Sequence, residues 1–77
     1  MLYSFQMKNK NLTFKVDFED GWYSASCLEA FIVTQGKGFK SLEKNIREAV
    51  ELHFSEEIEA KKLKPIISLN YTLPAYV

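Results

Sequence analysis

Apolar and polar side chains alternate strictly from Leu12 to Phe18. A period of two residues is typical of a β-strand that turns one face toward the core. Asp20 and Gly21 follow at once, and an Asp-Gly pair favours a two-residue type I′ turn because both positions adopt a positive φ. The pattern therefore predicts a β-hairpin. The predicted cross-strand pairs are Glu19/Trp22, Phe18/Tyr23, Asp17/Ser24, Val16/Ala25, Lys15/Ser26 and Phe14/Cys27.

This register sorts the hairpin into two chemically different faces. Phe18 and Tyr23 belong to the apolar face, which is expected to turn inward, whereas Trp22 points outward. A slip of one residue would exchange the two faces, so the sorting itself supports the register. We expect the outer face to contact a partner because Trp is favoured at protein interfaces, and a Trp that only covers the sheet is an equally weighted alternative. The predicted partner-binding residues are Asp17, Glu19, Trp22 and Ser24.

Beyond the hairpin the hydrophobic period changes twice. Residues 31–35 form a short β-branched run closed by Gly36, which predicts a third strand. From Phe39 the apolar spacing becomes helical, with Gly38 in the N-cap position, and after Pro65 the alternation returns and predicts a closing strand. The helical stripe consists of Phe39, Leu42, Ile46, Ala49, Val50 and His53. The inner face of the closing strand consists of Ile67, Leu69, Tyr71 and Leu73.

Two further segments have weaker patterns. Residues 55–65 are charged, and we expect them to extend or fray from the helix as a solvated connector until Pro65 ends it. Residues 1–11 are interpreted as a possible additional strand, hairpinned through residues 8–11. Together the elements predict one α+β domain over residues 1–77, of the order βββαβ, with an antiparallel sheet covered by one helix.

Length, charge and cysteine content restrict the classes of protein to which this chain can belong. The 77 residues are 47% hydrophobic, which indicates a folded domain, and so small a core makes self-association the default expectation. Ten basic and ten acidic residues cancel, so we expect no direct nucleic-acid binding by this chain alone. A single cysteine excludes an internal disulfide, and no segment has the pattern of a signal peptide or of a membrane span. We therefore expect a cytoplasmic protein.

Reactive side chains are few. The chain lacks the motifs of serine hydrolases, P-loop proteins, zinc peptidases and dithiol enzymes. His53 is expected at the rim of the helical stripe rather than in acid-base catalysis. Cys27 faces Phe14 on the apolar side of the hairpin, where an inert buried thiol is favoured over a nucleophile. Asp17 and Glu19 share a face, but no second acidic cluster completes a metal shell. We expect no enzymatic activity, no cofactor and no metal ion.

Three motifs follow one another in the order typical of one protein family. An Asp-Gly-aromatic hairpin begins at Asp20, the triplet Thr34-Gln35-Gly36 ends the third strand, and Asn45-Ile46-Arg47-Glu48-Ala49 lies in the helix, nine positions after the glycine. Taken together and in this order, they resemble the HicB-like antitoxins. The match covers residues 20–54 directly, and the first and last predicted strands fit the same pattern.

The resemblance implies a partial RNase-H-like fold, in which a three-stranded antiparallel meander is followed by one helix and a returning strand. It also implies a homodimer or homotetramer that neutralises a HicA-like toxin ribonuclease, an enzyme that degrades messenger RNA, by direct contact. It implies no nuclease activity, because the carboxylates of a two-metal ribonuclease H are missing from this sequence. Many family members add a C-terminal DNA-binding domain, whereas only residues 74–77 follow the last strand here, so we expect no operator binding by this chain.

Two functions are therefore weighed. The leading hypothesis is a non-enzymatic protein-binding module that acts as the antitoxin of a toxin-antitoxin pair. The alternative is a homo-oligomeric structural or ligand-sensing protein without a toxin partner, because exposed sheet edges either pair with another chain or need protection. An enzymatic function of His53 and Cys27 is the least favoured. The product of the adjacent reading frame distinguishes the first two, since only the antitoxin requires a ribonuclease there.

Overall fold

The computed structural model describes residues 8–71 of the chain. These residues contain two helices and four strands. The α+β class and the predicted order of three strands, a helix and a strand are confirmed, and a second, short helix is added before the last strand. Leu73 and the first part of the possible N-terminal strand lie outside the described residues. The elements are β1 (Lys8–Glu19), β2 (Trp22–Cys27), β3 (Val33–Gly36), α1 (Phe39–His53), α2 (Ser55–Glu59) and β4 (Leu63–Tyr71).

Strands β1 and β2 form the predicted hairpin. Asp20 and Gly21 have φ angles of 55° and 79°, as a type I′ turn requires at its two central positions. All six predicted cross-strand pairs are present, from Glu19/Trp22 beside the turn to Phe14/Cys27 at the far end. Local turn chemistry and the sorting of the two faces therefore determine this register.

The sheet is mixed and has the strand order β3-β2-β1-β4. β2 pairs antiparallel with both β1 and β3, but β4 lies parallel to β1. The prediction of an antiparallel sheet is therefore wrong for β4. Because two reversals leave β3 pointing the same way as β1, α1 has to carry the chain back across the sheet. The next strand then starts in the direction of β1, which makes the pairing parallel.

Helix α1 packs over the centre of the sheet. Its residues Leu42, Ile46 and Val50 are buried at the helical spacing that the pattern predicts. Phe39 and His53, at the two ends of the stripe, are exposed, which confirms the rim position of His53. The buried residues below the helix are Leu12, Phe14 and Val16 on β1, Ala25 on β2 and Ile32 before β3.

The strand boundaries at two places differ from those predicted. Residues 8–11, predicted as a turn, continue β1 and pair with residues 63–66 of β4. This segment is polar and has no hydrophobic alternation that would predict a strand. It is a strand because it pairs with β4, which lies more than fifty residues away along the chain. Strand β3 begins at Val33 rather than at Phe31, whose side chain is 99% exposed.

The segment predicted as a charged connector, residues 55–65, contains a short helix and the start of a strand. Helix α2 ends in a Schellman motif. The Lys61 amide donates to the Ile58 carbonyl at 3.0 Å, and Lys61 has the left-handed φ of 57° that this motif requires. The Lys62 amide donates to the Glu57 carbonyl at 2.9 Å. The backbone thus turns out of the helix before the proline is reached.

Pro65 lies within β4, and the prediction that it ends the helix is therefore wrong. Among residues 8–71, strand β4 lies at one edge of the sheet and pairs with β1 alone. A proline is tolerated on an edge because one side of the strand has no partner to which an N–H would donate. The same proline in β1 or β2 would remove a hydrogen bond within the sheet.

Replacing Lys61 by glycine is expected to stabilise the protein by up to about 1 kcal/mol, because glycine adopts a positive φ without the clash of a β-carbon. The measurement is the urea midpoint of unfolding, with an unchanged slope. Lys62→Gly is the matched control and should lower the midpoint, since Lys62 has no positive φ to relieve. Equal losses for the two variants would contradict the assigned cap.

Strand β3 and helix α1 are joined where two of the three motifs meet. The Asn45 side-chain amide donates to the Gln35 carbonyl at 2.8 Å. One residue further along β3, a β-carbon added to Gly36 would lie 2.7 Å from the Leu42 backbone nitrogen, so the helix rests directly on the strand. The spacing between the Thr34-Gln35-Gly36 triplet and Asn45 therefore lets the first turns of α1 fold back onto β3.

Candidate protein-binding surface

The predicted partner-binding residues come together on the outer face of the hairpin. Asp17 pairs with Ser24, and Glu19 pairs with Trp22. Asp17 and Glu19 are exposed, Ser24 is half-buried, and the Trp22 side chain is 40% exposed. The Lys37 ammonium lies 5.1 Å from the centre of the Trp22 ring, which is a cation–π contact. Trp22 is therefore accessible to a partner and is also oriented by its own chain.

The helix side of the hairpin carries an aromatic surface that the hydrophobic pattern does not predict. The pattern places Phe18 in the core, and this prediction is wrong, since the side chain is 62% exposed. Its ring contacts Tyr23 with centroids 4.7 Å apart. Tyr23 stacks on Phe39 at 5.4 Å, and Phe39 meets Tyr71 edge-on at 5.1 Å. These four residues, Phe18, Tyr23, Phe39 and Tyr71, are called the aromatic row.

The aromatic row lies where several elements begin or end. Phe18 and Tyr23 flank the hairpin turn, Phe39 is the first residue of α1, and Tyr71 is the last residue of β4. Helix α1 begins at Phe39 and therefore does not cover this end of the sheet. The four rings cover one another there instead. Contacts of this kind favour packing beyond the area that they bury. Phe39 and Tyr71 remain 45% and 41% exposed, so the row is ordered by its own contacts and open to solvent.

Carboxylates lie next to both ends of the aromatic row. At the hairpin end, Asp20 lies in the turn two residues after Phe18, whereas Asp17 and Glu19 are on the outer face with Trp22. At the other end, burial and then the nearby Glu43 carboxylate raise the pKa of the Tyr71 hydroxyl above its usual value. Lys37 and Lys40 flank Phe39 along the chain, and Lys37 is placed over Trp22. The acidic residues of the hairpin are Asp17, Glu19 and Asp20.

The two candidate reactive side chains serve local packing. Cys27 contacts the core and is half-buried rather than buried, with its sulfur 3.5 Å from Oε1 of Glu29. The same oxygen accepts a 2.7 Å hydrogen bond from the Thr13 amide, which lowers the pKa of Glu29 below its ordinary value. Glu29 thereby joins the loop after β2 to β1. The exposed His53 ring meets Phe54 edge-on, with centroids 4.7 Å apart.

A shallow groove of about 270 Å³ separates α1 from β4. Its walls are apolar, with one carboxylate and one guanidinium at the helix side, and contain neither histidine nor cysteine. Within residues 8–71, no three His, Cys, Asp or Glu side chains are grouped so that they could hold a metal ion. The residues that line the groove are Glu43, Ile46, Arg47, Ile67 and Leu69.

Comparison with known proteins identifies no relative. No family model, no curated protein and no solved structure matches the chain. Neither helix in the described part of the chain is long and apolar enough to cross a membrane. The resemblance to the HicB-like antitoxins therefore depends on the three motifs alone.

Proposed function

We propose that this chain is a non-enzymatic protein-binding module, the antitoxin of a HicA/HicB-like toxin-antitoxin pair. It neutralises an mRNA-degrading ribonuclease in the cytoplasm by direct contact. The observation that supports this most is the concentration of accessible aromatic side chains at the hairpin end, with Trp22 on one face and the aromatic row on the other. Tyr and Trp are enriched among the residues that dominate binding energy at protein interfaces.

The fold is compatible with the partial RNase-H-like architecture of that family. The meander β1-β2-β3, the crossing helix α1 and the returning strand β4 follow in the implied order. The Thr34-Gln35-Gly36 triplet and Asn45 also meet physically, so these two motifs describe one structural contact. This gives the motif spacing a structural reason and makes the resemblance a more specific basis for the proposal.

Charge also favours a protein partner over RNA. The chain has ten basic and ten acidic residues, and the hairpin end concentrates acidic ones. A ribonuclease has to hold phosphates with basic side chains, and its RNA-binding surface is therefore positively charged. An acidic and aromatic surface matches such an enzyme and repels the RNA itself.

A second candidate function is a homo-oligomeric structural or ligand-sensing protein without a toxin partner. It is favoured by the β3 edge of the sheet, which has an open row of backbone groups and no charged residue. Val33 on this edge is 74% exposed, and Phe31 just before it is almost fully exposed. Uncharged, apolar edges pair readily with a second chain. A homodimer or homotetramer through this edge is compatible with the antitoxin function as well.

The test is co-expression of the full chain with the small protein encoded by the adjacent reading frame. We expect that protein alone to arrest growth, and co-expression to restore growth and give a complex that co-purifies. A stable complex of this kind normally buries about 1,200–2,000 Å². A Phe14→Ala variant, in which a buried core residue is lost, is the negative control and should not protect. A chain that forms a stable oligomer but binds no neighbouring product would support the second candidate instead.

A further inference from the structure

We propose that the aromatic row, with the Asp20 and Glu43 carboxylates beside its two ends, forms a docking surface for an arginine-bearing segment of the ribonuclease partner. This inference rests on the proposed function and names the surface and the chemistry that it uses. It differs from the sequence prediction, which places the contact on the outer face of the hairpin. The new surface lies on the helix side, at the edge formed by β1, β2, α1 and β4.

The geometry of the aromatic row suits a flat cation. Its four rings form three consecutive contacts with centroids 4.7–5.4 Å apart, so they form a continuous surface rather than isolated side chains. Phe18, at one end, is the most exposed of the four. An arginine guanidinium is planar, weakly hydrated and stacks on aromatic faces, which the compact and strongly hydrated lysine ammonium does less well.

The chain itself shows a contact of this type on the opposite face. Lys37 lies over the Trp22 ring, with its ammonium 5.1 Å from the ring centre. Lys40, beside Phe39, makes no comparable ring contact among the described residues. The rings of the aromatic row therefore remain available to a cation from another molecule.

The carboxylates make this surface negatively charged. Asp20 lies in the turn two residues after Phe18 and is exposed. Glu43 lies one helical turn after Phe39, close enough to Tyr71 to raise its pKa after the larger effect of burial. Carboxylates bind guanidinium groups through paired hydrogen bonds, which adds orientation to attraction. Rings flanked by carboxylates thus favour arginine and disfavour the phosphates of a nucleic acid.

Occupation of this surface explains how inhibition follows from binding. The basic side chains that a ribonuclease uses to hold RNA are the groups that this surface would bind. A guanidinium whose N–H groups donate to the carboxylates of this surface cannot use the same N–H groups to hold a phosphate. The antitoxin would therefore compete with RNA, and the complex should weaken as salt concentration rises.

The first experiment titrates the isotope-labelled full chain with short synthetic peptides and follows backbone amide shifts. An arginine-containing peptide is expected to shift Phe18, Tyr23 and Tyr71, a matched lysine peptide to shift them less, and a matched glutamate peptide not at all. Single-stranded oligouridine tests the opposing possibility, since exposed aromatic residues also stack on bases. Shifts of the row with oligouridine and not with the arginine peptide would overturn the proposal.

The second experiment measures the dissociation constant of the complex with the adjacent-frame protein. Phe18→Ala is expected to weaken it by about 30-fold or more, the loss typical of a central interface residue. Leu52→Ala is the control, because it removes an exposed apolar side chain from the last turn of α1, away from the aromatic row and from the β3 edge, and it should have little effect. A double variant, Asp20→Asn with Glu43→Gln, keeps the turn geometry because asparagine tolerates a positive φ, and it should reduce the salt dependence of binding.

These outcomes separate the inference from the function on which it rests. If the wild-type complex forms and Phe18→Ala binds as tightly as Leu52→Ala, the docking surface is wrong and the antitoxin function stands. If no adjacent-frame protein binds the wild-type chain, the antitoxin function fails, and the peptide titration alone decides the chemistry of the surface. Absence of any response to the arginine peptide overturns the inference in either case.

Discussion

Replacing Phe14 by alanine is expected to leave most of the protein unfolded at room temperature. Phe14 has 0% exposure and occupies the middle of β1, between Cys27 on β2 and Leu69 on β4. Removing a buried Phe ring costs about 3–5 kcal/mol because transfer energy is lost and a cavity remains. A core in a chain this short rarely supplies more than about 3–5 kcal/mol in total. The loss therefore equals most of the stability.

The control is Phe18→Ala on the same strand and the same face, four residues closer to the turn. Its ring is mostly exposed, so we expect a loss below about 1 kcal/mol, mainly from the contact with Tyr23. Circular dichroism during urea unfolding measures both variants. Equal losses at the two positions would show that the core extends to the hairpin turn and would contradict the exposed aromatic row.

The hairpin shows why part of the fold is predictable from sequence. An Asp-Gly pair determines the turn, and the turn determines which residues of β1 and β2 face one another. All of this information lies between Leu12 and Cys27, so no distant contact is needed. The register also determines which side chains share a face, so the sequence correctly predicts that the outer-face residues lie together.

The features that sequence patterns miss depend on distant contacts. The strand character of residues 8–11 comes from pairing with β4, and the parallel direction of β4 follows from the path of α1. A period-two pattern cannot distinguish Phe14 from Phe18, because it records the face of a residue and not how far the helix reaches over that face. The exposure of Phe18 is set by where α1 begins, at Phe39.

A signal for the aromatic row was nevertheless present in the sequence. Phe18, Tyr23, Phe39 and Tyr71 each lie at or near the end of a strand or helix, where covering elements are fewer. Large aromatic residues at several element ends predict a shared surface if those ends meet in space. Which ends meet depends on the sheet order β3-β2-β1-β4, and no local pattern contains that order.

Replacing Gly36 by alanine is expected to cost about 2–3 kcal/mol, near the upper end of what overpacking causes. The added β-carbon would lie 2.7 Å from the backbone nitrogen and 2.9 Å from the α-carbon of Leu42. Backbone atoms in the first turns of α1 cannot rotate away as a side-chain tip can, so the helix as a whole has to shift. That shift would also stretch the 2.8 Å hydrogen bond from Asn45 to the Gln35 carbonyl.

The matched control for this variant is Gly38→Ser, two residues further along. Nothing lies within 4 Å of a β-carbon at Gly38, and its φ of −134° suits any residue. Serine is also a better N-cap than glycine, so we expect unchanged stability or a gain of a few tenths of a kcal/mol. Urea midpoints compare the two variants, and amide exchange of α1 reports whether the helix has loosened. If Gly36→Ala were as stable as Gly38→Ser, the close contact between β3 and α1 would be wrong, and with it the structural reason for the spacing of the two motifs.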